Sequence, residues 1–150
     1  MSEEEVTAKF NATSDSRDLA VRLYLKEVDT TTGGPDLEVG TMANITWMKA
    51  KDPAYEKMES EIFKPWHQQM VDAGAKSSWG MLRVILPGGS DRYASHIVVN
   101  MFQDVSQYVK AGDFQGAEPT LVTNLAVQKG LKTRDLKSVK LATLVKMVRK

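Results

Sequence analysis

Apolar and polar positions alternate with period two over residues 42–48, 79–86 and 93–102, and recur with helical spacing over 55–73. In Glu38 to Lys49 the alternation gives a strand. Ala43, Ile45 and Trp47 point one way and Met42, Asn44, Thr46 and Met48 the other. Asp52-Pro53 then opens a helix, since Asp caps well and Pro at the first helical position loses no needed hydrogen bond. Tyr55, Met58, Ile62, Trp66 and Ala73 form its apolar stripe, with Phe63 and Met70 beside it. Pro65 falls inside that pattern, removing one backbone donor and crowding the carbonyl of Glu61. A kink is expected there, not a break, because the stripe resumes at Trp66. Gly74 suits the helix stop.

Ser77 to Leu86 is predicted as the next strand, with Leu82, Val84 and Leu86 on one face and Trp79, Met81, Arg83 and Ile85 on the other. Pro87-Gly88-Gly89-Ser90-Asp91 turns the chain. Tyr93 to Phe102 follows, with Ile97, Val99 and Met101 opposite Ala94, His96, Val98, Asn100 and Phe102. So short a connection makes the two strands antiparallel neighbours.

The flanks are less regular. Residues 1–16 are polar and acidic and read as a flexible arm, leaving 17–150 as one domain. Residues 20–28 fit strand or helix and lean to strand; Thr30 to Pro35 is a loop. Asp104 can cap a short helix through Val109, and Pro119 can start another with Leu121, Val122, Leu125 and Ala126 on its apolar side. Residues 139–148 again fit either element. A strand is assigned there because a βαββ unit followed by helices commonly closes with a fourth strand.

Composition narrows the classes. The chain has 150 residues, 20 basic against 19 acidic and a net charge of +1, so no global field recruits nucleic acid or a membrane. The basic C-terminal side chains are interspersed with apolar ones, as on a solvated face. Cysteine is absent, which removes disulfides, thiol nucleophiles and thiolate metal sites. MSEEEVTAKF has no apolar core and is no signal peptide. The compartment stays open between cytoplasm, if that start is native, and export, if a signal was removed. No apolar run approaches the roughly 20 residues of a membrane span.

The stretch from Tyr55 to Phe102 resembles a family of largely uncharacterised bacterial proteins, distantly similar to antibiotic-biosynthesis-type monooxygenases. The shared pattern is an acidic helix running into W/F-K-P-x-H (Phe63, Lys64, Pro65, His67), then G-x-x-x-x-W (Gly74, Trp79), then P-G-G (Pro87, Gly88, Gly89). Where that family has a Tyr-Asp-Tyr strand entry, this chain has Tyr93-Ala94-Ser95. The resemblance implies an α+β, ferredoxin-like antiparallel sheet with helices on one face. It also implies a homodimer in which two sheets close into a dimeric α/β barrel. Relatives by fold include cofactor-free monooxygenases, haem-degrading enzymes and isomerases, so fold alone assigns no chemistry.

On that architecture the more aliphatic faces (Ile45, Trp47; Leu82, Val84, Leu86; Ile97, Val99, Met101) are expected under the helices. The inward faces then carry Asn44, Thr46, Trp79, Met81, Arg83, His96 and Asn100, the makings of a ligand pocket or of a filled dimer interface. His96, His67 and Arg83 are the candidate catalytic groups; Asn44, Trp79, Asn100 and Trp66 are the candidate ligand contacts. His67 can serve as a base or simply fix the helix beside Pro65. Two histidines 29 residues apart without local carboxylates give no metal spacing. Pro87-Gly88-Gly89 lacks the helix of a phosphate loop, and no Ser, His and Asp are arranged as a triad. No cofactor is expected. Three readings remain: a binder of a small, partly aromatic molecule, a cofactor-independent oxygenase of a phenol or quinol, and a structural dimer.

Overall fold

A computed structural model describes residues 2, 4, 5, 7, 8, 22–89, 91–116 and 121–148. Most of the acidic arm, Val21, Ser90 and Pro119 lie outside the described residues. Five strands form one antiparallel sheet: β1 (Tyr24–Thr30), β2 (Met42–Ala50), β3 (Ser78–Leu86), β4 (His96–Phe102) and β5 (Arg134–Thr143), in the order β1-β3-β4-β2-β5. Strands β2 to β5 and the helices between them make the ferredoxin-like βαββαβ unit. β1 adds a fifth strand on the edge beside β3, in the stretch where a strand was favoured over a helix. The C-terminal strand begins earlier than expected, at Arg134, and ends at Thr143.

The first crossover is one continuous helical run in three parts, α-helical Tyr55–Met58, π-helical Glu59–Phe63 and α-helical Lys64–Asp72. It passes Pro65 without a break, as expected. The irregularity takes the form of a π turn just before the proline, in which wider hydrogen bonding inserts an extra residue into the helix. That insertion rotates everything after it by about one position, since each residue turns an α-helix by roughly 100°. The inward positions therefore become Tyr55, Glu59, His67 and Met70, whereas Trp66 is 44% exposed and Ala73 is also exposed. The stripe read from sequence slips out of phase here. Gly74, at φ +68°, ends the run as predicted, because only glycine adopts that conformation without strain. Asp104 caps the helix Val105–Gly112, its Oδ1 accepting from the Gln107 N–H at 2.8 Å. The remaining helix, Leu121–Lys132, packs on the π turn, where Gly130 faces the Phe63 ring.

Within β2, β3 and β4 the alternation holds, but β4 begins only at His96, leaving 93–95 outside the strand, and the expected assignment of faces is inverted. Met48, Trp79, Met81 and Val98 join Tyr55 in the core beneath the helices, and Trp79 and Met81 have no exposed surface. Arg83, His96 and Asn100 share that covered face. Ile45, Leu82, Val99 and Met101 lie on the opposite side, half-buried. Counting aliphatic residues misjudged the faces for two reasons. The covered face has the greater buried volume, in Trp79, Met81, Met48 and Phe102, and large side chains gain most from leaving water. Two of its polar members, Arg83 and His96, also find a partner in Glu56 on the helical run, and Asn100 finds one in Lys76 just past it, which offsets the cost of covering them. Across the open face, residues 92–94 lap over one end of the sheet. Tyr93 Oη donates to the Lys137 carbonyl (3.0 Å) and Arg92 to the Val84 carbonyl (3.2 Å).

Candidate functional site

Three arrangements bring polar chemistry together, two beneath the helices and one on the open face. The first centres on Glu56, one residue past the core Tyr55. Its carboxylate accepts from Arg83 Nε (2.6 Å) and Nη2, and from His96 Nε2 (2.7 Å). Those bonds, the Arg83 pairing above all, hold Glu56 down at about 2. Burial lowers His96, which is therefore neutral, with its Nε2–H donating to Glu56 and its Nδ1 accepting from Ser95 Oγ at 2.9 Å. Serine, histidine and glutamate in line suggest a nucleophile and its base. However, Ser95 is buried, and its Oγ already accepts from the Ala50 N–H at 2.7 Å. A substrate carbonyl has no approach to it. The network ties β2, β4 and the helix together.

The second arrangement contains Lys76, which is 5% exposed with no carboxylate partner among the described residues. Its ammonium donates to His67 Nδ1 (2.8 Å) and Asn100 Oδ1 (2.7 Å) and lies over the rings of Trp66 and Phe102 at 5.6 and 6.0 Å. Burial brings Lys76 down to about 8. His67 falls to about 3, from its own burial and then from the neighbouring cation, and stacks on Trp79 with centroids 5.4 Å apart. Asn44 faces Asn100 across β2 and β4 and accepts from Thr46 Oγ1 at 3.1 Å.

The sequence candidates therefore do not converge on one cavity. Arg83 and His96 meet through Glu56. Trp79, His67, Asn100 and Trp66 gather around Lys76. Tyr55, whose ring lies 4.7 Å from His96, fills the covered face near them. Glu56 and Lys76 escaped notice because both are charged residues that sequence places at a helix start and just past a helix stop. Only packing turns them inward.

The third arrangement has room for a molecule. On the open face a cavity of about 450 Å³ opens between the sheet and residues 92–94. Leu23, Val84, Pro87 and Ala94 supply apolar walls, Trp47 and Tyr93 the aromatic ones (centroids 6.2 Å apart), and Arg92 and Lys140 the charge. Lys140 Nζ lies 5.7 Å from the centre of the Trp47 ring. Trp47 Nε1 and, on the adjoining strand, Ser138 Oγ are buried without a hydrogen-bond partner among the described residues. Trp47 and Val84 were expected under the helices, and none of the lining residues was a site candidate from sequence. Their signal lay in the stretch PGGSDRYA, where an Arg and a Tyr follow a glycine turn. No cluster of three metal-ligating side chains occurs among the described residues.

No protein-family model and no curated protein matches the chain. Among solved structures it is similar to a Fusobacterium nucleatum protein named "putative monooxygenase", with a TM-score of 0.51 and 10% identity. The fold is ferredoxin-like. The similarity covers 93% of this chain but 60% of that one. At such identity it shows the fold alone, in keeping with the resemblance read from the Phe63 to Gly89 motifs but establishing no family.

Proposed function

We propose that this chain is a homodimeric binding protein that holds a small, partly aromatic molecule against the open face of its sheet. The observation that carries the reading is the cavity bordered by Trp47 and Tyr93. Its size lies within the range of small-molecule sites, and apolar walls with a few polar groups are the usual make-up of such sites. The inverted faces move this pocket from Trp79, Arg83 and His96 to Trp47, Arg92, Tyr93 and Lys140. Dimerisation is inferred from the rest of the open face, where Ala43, Ile45, Leu82, Val99 and Met101 form a contiguous apolar surface flanking the cavity. Patches of that kind rarely stay in water on a monomer, and a second copy offers the self-complementary surface of a two-fold interface.

The oxygenase alternative has less support. His96 and His67 are both engaged beneath the helices, and neither borders the cavity. Light scattering at tens of micromolar should give twice the chain mass. A thermal-shift screen of small aromatic compounds should find ligands that stabilise the wild type but not Trp47→Ala. A monomer that no compound stabilises refutes the reading. A dimer without a ligand supports the purely structural alternative.

A further inference from the structure

Resting on the ligand-binding reading above, we infer that the molecule this cavity takes is an aromatic carboxylate. Its ring lies against Trp47 and Tyr93, and its carboxylate lies between Arg92 and Lys140. The lining holds two cations and no acid. Neither cation is paired with a carboxylate among the described residues, whereas Lys51, Lys64, Arg83 and Arg134 all are. Arg92 gives one N–H to the Val84 carbonyl, which fixes the guanidinium at the cavity wall and leaves its other donors for a ligand. Lys140 lines the same cavity from β5, on the face that also bears Ser138.

One orphaned group agrees with this. Trp47 lines the cavity, and its buried indole N–H can only donate, so it calls for an acceptor. A carboxylate is acceptor-only, and its two oxygens can be shared among several donors. The aromatic part follows from the walls, where the Trp47 and Tyr93 rings are inclined at 59° with room between the sheet and the loop. Stacking there removes apolar area from water while the charge stays near the cations.

The test uses 1-naphthoate and its uncharged analogue 1-naphthamide, titrated into the intact protein by calorimetry. The acid should bind at least about tenfold more tightly than the amide, since a charge-assisted hydrogen bond contributes on the order of 1.5–3 kcal/mol. That preference should shrink on adding salt. Arg92→Gln and Lys140→Met should each cut the preference for acid over amide severalfold. Arg92→Lys, which keeps the charge, should retain most of it. Equal binding of acid and amide overturns the carboxylate assignment and leaves the binding reading intact. If neither probe binds, the aromatic-carboxylate assignment falls, and the binding reading is decided by the thermal-shift screen. A preference that survives both substitutions also refutes the assignment, because it places the anion elsewhere.

Discussion

Lys76 offers the sharpest test of the buried architecture. Its amine is almost sealed from solvent, bonded only to the neutral acceptors His67 Nδ1 and Asn100 Oδ1, and burial brings it from 10.5 down to about 8. Because the folded value lies below the unfolded one, the folded state bears the full cost of the charge below about pH 8. That cost is relieved as pH rises towards the unfolded value. In this window the unfolded chain binds more protons, so stability climbs with pH. The linkage relation gives a rise of roughly 2 kcal/mol between about pH 7.5 and about pH 9.5. Lys76→Met keeps the chain length, removes the titration and keeps a side chain suited to the Trp66 and Phe102 rings. It leaves Asn100 Oδ1 and His67 Nδ1 unpaired, at about 1–3 kcal/mol each, so its stability at neutral pH should lie close to that of the wild type. The decisive quantity is therefore the slope. Urea unfolding across this range should show the wild type gaining on the variant by roughly 2 kcal/mol. Other groups, Tyr55 included, cancel in the comparison. Parallel pH curves would mean that Lys76 is solvated in the native protein, and the sealed aromatic site would be wrong.

Glu56→Gln should destabilise the protein by about 1–2 kcal/mol at neutral pH, the lower part of the range for a charged hydrogen-bond partner because Arg83 is half exposed. With Glu56 held at about 2 in the fold against an ordinary 4.5, its stabilisation is present above 4.5 and lost as pH falls towards 2. Acid unfolding of the variant should accordingly be flatter. Gly130→Ala should lower the melting temperature despite alanine's advantage in a helix. A Cβ there meets Phe63 Cε2 at 2.7 Å, and that ring is braced by Arg134 at 4.4 Å. Overpacking of about 1–3 kcal/mol outweighs roughly 1 kcal/mol of propensity, and a raised melting temperature would show that Phe63 yields freely.

By itself the sequence determined the elements and their alternation. Period two in residues 42–48, 79–86 and 93–102 placed three strands, Gly74 and Asp104 marked helix ends, and the Phe63 to Gly89 motifs pointed to the ferredoxin-like fold. These features were legible because each rests on local chemistry, such as a glycine at positive φ, a carboxylate over a free N–H, or side chains alternating across a pleat. Tertiary structure decided which face of the sheet meets the helices, and with it every candidate site. Alternation separates two faces but carries no sign. The choice came from partners distant in the chain, Glu56 for Arg83 and His96, Lys76 and His67 around Asn100 and Trp79. The π turn, invisible in the apolar spacing, advanced the helix by one residue and put His67 where Trp66 was expected. The cavity is more remote still from local signals. It exists because Tyr93 reaches across Trp47 to the backbone of β5, bringing Arg92 and Lys140 to one space from positions 48 residues apart.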